Sequence, residues 1–267
     1  MTGQNAHNDV NSSVEYKAAH DYVSGHVTSL AKAQDKFCEP AEDKFMTTQN
    51  AEDVEGLLWK AWGGVVELAK TTADNTVHRQ KLVDFVLGLQ QRPKLQKGDE
   101  VCKVWDATVW SDLPVFGAQI RECWNAAASD SSVAEEQHQW LNINAFTAAL
   151  VASAHSNEDK PDFTLFAIWA LRQAFEEEKP SKIATEAAAA WLICAAPALS
   201  ELSKNEKSFD GKLARAGSSY QDKQWTGFNG DRWQIWVSKL SKVDASGFGA
   251  RGGELIKKAR QKVSELE

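Results

Sequence analysis

Apolar residues recur at steps of three and four along most of this 267-residue chain, which is the spacing of helices that bury one face. The pattern predicts a first helix from Tyr16 to Leu30 and a polar loop from Cys38 to Asn50. Because runs of alternating β-branched residues are missing from the sequence, we expect an all-α fold: a single multi-helix bundle, with an irregular α-solenoid-like array of helices as the alternative. The further predicted helices begin near Glu52, Leu82 and Asp112 or span about Val133–Ala154, Asp162–Glu177, Lys182–Ala196, Asp231–Leu240 and Gly253–Leu266.

Glycine, proline and capping residues predict where several of these helices begin, bend or end. Gly63 and Gly64 lie inside the second helix, where each costs about 1 kcal/mol relative to alanine, so they predict a close helix approach or a kink. Asp112 is predicted to cap the helix that follows it, with Pro114 in the first turn. The polar stretch from Leu199 to Gly230 is predicted to be an extended loop or a domain seam.

Composition and charge divide the chain into three predicted segments: a disordered arm over residues 1–13, a helical domain over 14–242 and a basic helical tail over 243–267. The net charge is -7, but residues from Ser203 onward hold 13 basic and 8 acidic side chains, against 17 basic and 29 acidic before it. The acidic body disfavours nonspecific binding of nucleic acid. The basic tail could bind an anionic partner or a membrane surface through Lys257, Lys258, Arg260 and Lys262.

The sequence predicts a cytoplasmic protein without a transmembrane segment. Its four cysteines are widely spaced and form no CxxC pair, so we expect reduced thiols. The N-terminal residues are polar and lack the apolar stretch of a signal peptide. The longest apolar run, Ala187–Leu199, contains Pro197 and is shorter than the roughly 20 residues that span a bilayer.

One glycine motif lacks the surroundings that its chemistry needs. Gly247, Gly249 and Gly252 form a literal GxGxxG, which in dinucleotide sites lets a helix N-terminus approach a pyrophosphate. Here a predicted helix precedes the motif, whereas that use requires a strand before it and a βαβ unit around it. We expect a flexible loop, with an anion at the start of the last helix as the alternative.

The acidic and histidine residues give no recognisable metal or catalytic set. Glu135 and His138 have the ExxH spacing of di-iron bundles, but the second ExxH pair that such a site requires is missing from the sequence. His20 and His26, six residues apart, do not share a helix face well. No catalytic residue, metal or cofactor is therefore predicted.

Eleven tryptophans, most of them in stretches with helical spacing, indicate a core built from indoles that must each seat an N–H. Trp59 and Trp62 lie one turn apart, and so do Trp233 and Trp236. Arg121 is three residues from Trp124, where it could stack on the indole or reach an acidic ligand. We favour instead an arginine buried for packing and satisfied by Asp112 or by helix carbonyls, and we interpret Arg232 beside Trp233 in the same way. The candidate ligand-binding residues are Trp59, Trp62, Trp110, Asp112, Arg121, Trp124, Arg172, Arg232, Trp233 and Trp236.

Four segments, taken in order, resemble a large fungal family catalogued as a domain of unknown function. They are Asp112–Asn125 (DLPVFGAQIRECWN), Asp162–Phe175 (DFTLFAIWALRQAF), Ala187–Ala195 (AAAAWLICA) and Gly227–Trp236 (GFNGDRWQIW). The resemblance covers about Leu57 to Leu240 and leaves the C-terminal tail outside it. It implies a helical, cytosolic protein of a filamentous fungus, and it carries over no catalytic residues.

An excess of indoles without a nucleophile motif favours a noncatalytic helical protein that binds another protein or self-associates, since Trp, Tyr and Arg are the usual interface anchors. The alternative is a small-molecule-binding protein or enzyme with a pocket lined by indoles in the bundle interior. Such a pocket would orient its ligand through Arg121, Arg172 or Arg232 together with Asp112 or Asp231.

Overall fold

The computed structural model describes residues 10–72, 75–153 and 161–266. Over these residues the chain is all-α with ten α-helices, as predicted. The helices are α1 (Val14–Val23), α2 (Leu30–Thr48), α3 (Ala51–Thr72), α4 (Thr76–Leu89), α5 (Phe116–Asn125), α6 (Ala134–Ser153), α7 (Thr164–Phe175), α8 (Lys182–Lys204), α9 (Gly230–Lys242) and α10 (Gly249–Ser264). Two antiparallel hairpins of two-residue strands are β1 (Gln96–Lys97) with β2 (Glu100–Val101), and β3 (Lys103–Val104) with β4 (Ala107–Thr108).

The chain divides into two compact units: residues 1–127 with 154–162, and residues 128–153 with 163–267. The first unit holds α1 to α5 and both hairpins, and the second holds α6 to α10. The predicted boundaries at 13/14 and 242/243 stay predictions. In the structure α10 packs against α8 within the second unit, and Ser13 caps α1 by accepting a hydrogen bond from the Tyr16 N–H. Residues 1–9 of the predicted arm lie outside the described residues.

In the first unit, α3 packs against α1, α2 and α5 through the apolar positions that its spacing predicted, among them the buried Leu58 and Trp62. A Cβ added to Gly64 would lie 3.2 Å from the Cβ of Tyr16 on α1. Gly64 therefore permits the close helix approach that the glycine pair predicted.

Two predicted boundaries in the first unit are wrong. The predicted polar loop from Cys38 to Asn50 is the second half of α2, which contains Pro40. Its apolar residues Phe37, Ala41 and Phe45 are buried at four-residue steps, and the polar residues between them cover the solvent face. The predicted helix through Leu30 is broken after Val23, where Gly25 adopts a φ of 85°.

Asp112 does not cap α5, contrary to the prediction. That helix begins at Phe116 without a side-chain cap, after Val115 with a φ of 71°. The Asp112 carboxylate instead accepts a hydrogen bond from the Thr108 N–H at 2.7 Å, so it stabilises the turn between β4 and the helix. Pro114 consequently lies before the helix rather than in its first turn.

In the second unit, α8 packs against α6, α7 and α10. Its start is capped twice, because Ser181 accepts from the Ala184 N–H and the Asp130 carboxylate accepts from the N–H groups of Lys182 and Ile183. Pro197 does not end this helix, so the predicted end at Ala196 is eight residues too early. The predicted loop accordingly starts after Lys204 and reaches α9, interrupted by a 3-10 turn at Ser218–Tyr220.

The helix Lys182–Lys204 is long and apolar enough to cross a membrane by length and composition, although 67% of its most apolar window is buried inside the structure. Such burial is typical of a core helix.

Candidate functional site

Two charged side chains of the second unit are fully enclosed: Arg232, at the start of α9, and Glu176, directly after α7. Both are fully buried. The Arg232 Nε–H donates to Glu176 Oε1 at 2.7 Å, and Nη2 donates to Oε2 at 3.1 Å. This bidentate arrangement is the strongest geometry that an arginine and a carboxylate can form.

The remaining guanidinium hydrogens of Arg232 bind backbone. Nη1 donates to the carbonyl oxygens of Ala214 at 2.7 Å and Gly227 at 2.9 Å, and Nη2 also donates to that of Arg215 at 3.2 Å. An arginine has five N–H donors, and these contacts provide an acceptor for each. Arg232 therefore ties the loop between α8 and α9 to α9 and, through Glu176, to the end of α7.

Glu176 accepts two further hydrogen bonds, one from the Trp236 indole N–H at 2.7 Å and one from the Gly217 N–H at 2.9 Å. The guanidinium of Arg232 lies over the rings of Trp225 at 5.2 Å and Trp236 at 5.3 Å, within the range of cation–π attraction. We call Arg232, Glu176, Trp236 and Trp225 the arginine cluster. Its geometry favours the interpretation that this arginine is buried for packing, with Glu176 and loop carbonyls as its acceptors.

Arg172, on the last turn of α7, lies beside this cluster and binds the same loop. Its Nη1 donates to the Arg215 carbonyl oxygen at 3.3 Å. Burial, together with the positive charge of Arg232, lowers the pKa of Arg172 from its usual value. Trp169, one turn earlier, donates its indole N–H to the Leu213 carbonyl oxygen at 2.9 Å. Trp233, another of the candidates, is buried on α9.

In the first unit, two candidate indoles lie in the core with their N–H groups seated. Trp62 donates to the Pro114 carbonyl oxygen at 2.9 Å, and Trp110 donates to the Glu42 carboxylate at 3.0 Å. Both indoles are buried, and their rings meet edge to face at 6.5 Å. Arg92 also donates to Glu42, at 3.2 Å. These contacts give Trp62 and Trp110 a packing role.

The candidates Trp59, Asp112, Arg121 and Trp124 lie nearer the surface of the first unit. Arg121 is exposed, and the other three are half-buried. Trp59 donates its indole N–H to Glu55 at 3.3 Å. The ten candidate residues thus divide between the two units, six in the first and Arg172, Arg232, Trp233 and Trp236 in the second.

Backbone strain is concentrated between β3 and α5. Positive φ angles occur at the non-glycine residues Trp105, Asp106, Trp110, Leu113 and Val115. Each such conformation costs about 1–3 kcal/mol and persists only where the surrounding structure holds it. Trp105 and Asp106 form the two-residue turn between β3 and β4, where Asn-Gly is the favoured sequence. The Trp105 side chain is 55% exposed, and its ring contacts that of Trp59 at 6.0 Å. We call Trp105 and Trp59 the hairpin indole pair.

The GxGxxG segment is structured, so the predicted flexible loop is wrong. Gly247 belongs to a 3-10 turn, Gly249 begins α10, and Gly252 lies buried in the first turn of that helix. The Glu186 carboxylate from α8 lies against Gly252, and Lys182 donates to the Gly247 carbonyl oxygen at 2.7 Å. A carboxylate of the chain itself therefore lies where the alternative placed a bound anion.

The Glu135 and His138 pair lies on α6. Glu135 accepts a hydrogen bond from Gln139 at 2.9 Å, so this carboxylate bonds to a neighbouring side chain on the same helix face. Two of the cysteines are held as protonated thiols, because burial raises the pKa of Cys102 and of Cys123 to about 11. Burial also raises the pKa of Cys38 far above its usual range. A raised pKa lowers the fraction of reactive thiolate at neutral pH.

Three functional features escaped the sequence prediction. Glu176 was missed as the partner of Arg232 because 56 residues separate them, and Glu42 as the partner of Trp110 because it lies in a segment predicted to be a loop. The exposure of Trp105 was missed because the segment from Val101 to Trp110 has no clear period. A non-glycine pair between two short hydrophobic runs is a weak hairpin signal.

Comparison with known proteins gives one family. The family model described as "Protein of unknown function (DUF3632)" matches residues 62–240. The matched segment contains the arginine cluster and Trp105 and ends within α9. No curated protein and no solved structure matches the chain. The match agrees closely with the extent of the resemblance predicted from Leu57 to Leu240 and covers more than half of the sequence. The chain therefore belongs to this family, the proteins of unknown function DUF3632.

Proposed function

We propose that this protein is a noncatalytic interaction module that self-associates through the hairpin indole pair. The observation that carries the proposal is Trp105: a large aromatic side chain held 55% exposed, on a turn with positive φ at both central residues. A strained conformation that persists at an exposed position is typical of binding sites. Tryptophan is also the side chain most enriched among the residues that dominate interface energetics.

The occupant that we propose is a second copy of the chain, on the basis of charge. The hairpins around Trp105 are of mixed charge, with Asp99, Glu100 and Asp106 against Lys97 and Lys103, but residues before Ser203 as a whole carry an excess of 12 acidic side chains. Residues from Ser203 onward carry an excess of 5 basic ones. An acidic surface on one copy and a basic surface on another attract each other and favour association.

The basic surface lies on α10. Lys257, Lys258 and Lys262 are exposed there, whereas Arg260 is half-buried and donates to the carbonyl oxygens of Leu240 and Val243. Arg260 therefore stabilises the end of α9. Lys258 and Lys262 form exposed ion pairs with Glu254 and Glu265 at 3.7 and 2.7 Å, so Lys257 is the lysine that we assign to an anionic partner. In this proposal that partner is the acidic part of the second copy before Ser203, which includes the hairpins.

A pocket that binds a small molecule remains the second candidate function. Arg232 is poorly suited to bind such a molecule, because each of its N–H groups already has an acceptor in the protein. Removing any of these contacts to bind a ligand would leave buried polar groups unpaired, at about 1–3 kcal/mol each. We therefore assign these residues to folding in the proposal.

Sedimentation velocity of the full chain tests the proposal. We expect the wild type to associate with increasing concentration, and to associate less at 0.5 M than at 0.05 M salt because ions screen exposed charges. Trp105→Ser and Lys257→Glu should each shift association to higher concentration. Leu213→Ser is the matched control, since Leu213 is also an exposed apolar residue, 49% accessible, but lies in the second unit. A wild type that stays monomeric, or a Trp105→Ser variant that associates like the control, would overturn the proposal.

A further inference from the structure

The turn between α1 and α2 brings together three side chains that bind metals in other proteins. Nδ1 of His20 lies 3.5 Å from Asp21 Oδ1, and Nδ1 of His26 lies 3.7 Å from the same oxygen. One ligand atom from each residue lies within 4.8 Å of the other two. The cluster lies before residue 62, outside the part of the chain that the family match covers.

We propose that His20, Asp21 and His26 form a binding site for a divalent transition-metal ion of the zinc class. Zinc binds imidazole nitrogen and carboxylate oxygen at about 2.0–2.2 Å. In a tetrahedral site that distance places neighbouring ligand atoms about 3.3–3.6 Å apart. The two separations from Asp21 Oδ1 are within a few tenths of an ångström of this spacing. The two histidine nitrogens lie within 4.8 Å of each other, and side-chain rotations that bring them closer would complete the site.

The backbone holds the three residues in place before any metal binds. The helix ends at Val23, the positive φ of Gly25 reverses the chain, and the Val27 N–H returns to donate to the Asp21 carbonyl oxygen at 2.9 Å. This reversal brings His26 back beside the last turn of the helix. On an unbroken helix, two residues six positions apart would point in different directions.

The two imidazoles are held by separate contacts. The His20 ring stacks on that of Tyr16, with centroids 5.8 Å apart and an angle of 18° between the planes. The Ser24 hydroxyl, which donates to the His20 carbonyl oxygen at 2.8 Å, lies 3.1 Å from Nδ1 of His26, and a metal bound at that nitrogen would replace this contact. Lys81, the nearby cation, donates to the carbonyl oxygens of Tyr22 and Val23. The stacking on Tyr16 orients the His20 ring without occupying either of its nitrogens.

The donor set indicates the class of metal. Two imidazoles and one carboxylate suit zinc and its neighbours in the first transition row, whereas calcium and magnesium prefer oxygen ligands alone. Three protein ligands leave the fourth tetrahedral position to water or to a further ligand. Because the Asp21 side chain is 40% and the His26 side chain 71% exposed, solvent reaches this position.

Isothermal titration of the full chain with Zn²⁺ tests the site. We expect one ion per chain for the wild type and at least tenfold weaker binding for His26→Gln and for Asp21→Asn, because changing even the hydrogen-bond partners of a metal ligand costs about 10–100-fold. His78→Gln, on α4 and outside the cluster, is the matched histidine control and should bind like the wild type. Circular dichroism of each variant establishes that its helices are intact.

Co²⁺ provides a second readout, since its visible absorption is intense in four-coordinate sites. The wild type and His78→Gln should develop this absorption, and both cluster variants should lose it. Equal Zn²⁺ affinity in the wild type, His26→Gln and Asp21→Asn would overturn the proposal, and so would Zn²⁺ binding that all three variants lose together. Either outcome leaves the self-association proposal standing, since that rests on Trp105.

Discussion

Arg232 and Glu176 form a bidentate ion pair from which solvent is fully excluded, and the backbone carbonyls of a 25-residue loop complete the arginine's hydrogen bonding. A buried ion pair of this kind often adds little net stability relative to an apolar pair, but losing one partner strands a charge. The pair therefore fixes one arrangement of the loop between α8 and α9. It is the principal reason to assign the most deeply buried arginine to folding.

Glu176→Gln is expected to lower the free energy of unfolding by about 3–5 kcal/mol, because Arg232 would keep its charge without a buried counter-charge. Urea unfolding followed by circular dichroism measures the effect. Glu178→Gln is the matched control, since it makes the same change two residues away at an exposed position, and its midpoint should be that of the wild type. Equal midpoints for both variants would contradict the structural role of the pair.

Gly217→Ala is expected to destabilise the second unit, because an added Cβ would lie 2.7 Å from both the Cβ and the carbonyl oxygen of Glu176. Overpacking of this kind costs about 1–3 kcal/mol. Gly230→Ala, where an added Cβ meets nothing within 4 Å, should leave thermal stability unchanged or slightly raised. A melting temperature for Gly217→Ala at or above that of Gly230→Ala would show that this close approach is not needed.

The buried indole of Trp191 is expected to depend on Asn144, which accepts its N–H at 2.9 Å and donates to the Trp140 carbonyl oxygen at 2.8 Å. Asn144→Leu would strand the indole N–H at about 1–3 kcal/mol, whereas the Trp140 carbonyl keeps the backbone N–H of residue 144 as its helical donor. Adding Trp191→Phe removes the stranded N–H. The double variant should therefore lose less free energy of unfolding, measured by chemical unfolding, than the two single variants lose together. Strict additivity would mean that the hydrogen bond contributes nothing.

Stability is expected to depend on the ionisation of Glu186. Burial raises its pKa, although the charges of Arg251 and Lys182 oppose the shift. A native pKa above that of the unfolded chain means that the native state binds more protons, so stability falls as pH rises above about 4. Glu186→Gln removes this loss. The free energy of unfolding of Glu186→Gln, relative to that of the wild type, should therefore increase between pH 4 and pH 7. If this difference stays constant or decreases, the account is contradicted.

The sequence predicted most helices because their apolar spacing survives in the folded core, as in α3 and α6. Its errors have local causes. Pro197 follows a predicted helix end, and polar residues after Cys38 interrupt the apolar pattern, but tertiary packing of the residues beyond them continues both helices. Asp112 looks like a cap, but the strained backbone from Trp110 to Val115 delays α5 and gives its carboxylate another donor.

The site was harder to predict than the fold, because its partners are distant in the sequence. Residue spacing singled out Arg232 and Trp236, but nothing near them indicates Glu176. His26 approaches His20 because α1 ends at Val23, although the apolar pattern of the sequence continues to Leu30 and predicts a longer helix. Trp105 shares its residue type with the core indoles, and only the conformation of its turn distinguishes it.

The most direct measurement of the central claim is ¹⁹F NMR of the chain labelled with 5-fluorotryptophan, recorded across protein concentration, with the Trp105 signal assigned from Trp105→Phe. If buried indoles build the core and the exposed one mediates association, the Trp105 signal should shift as concentration rises, while those of Trp62, Trp191 and Trp236 stay constant. A Trp105 signal that does not change across a range in which the chain associates would contradict the account.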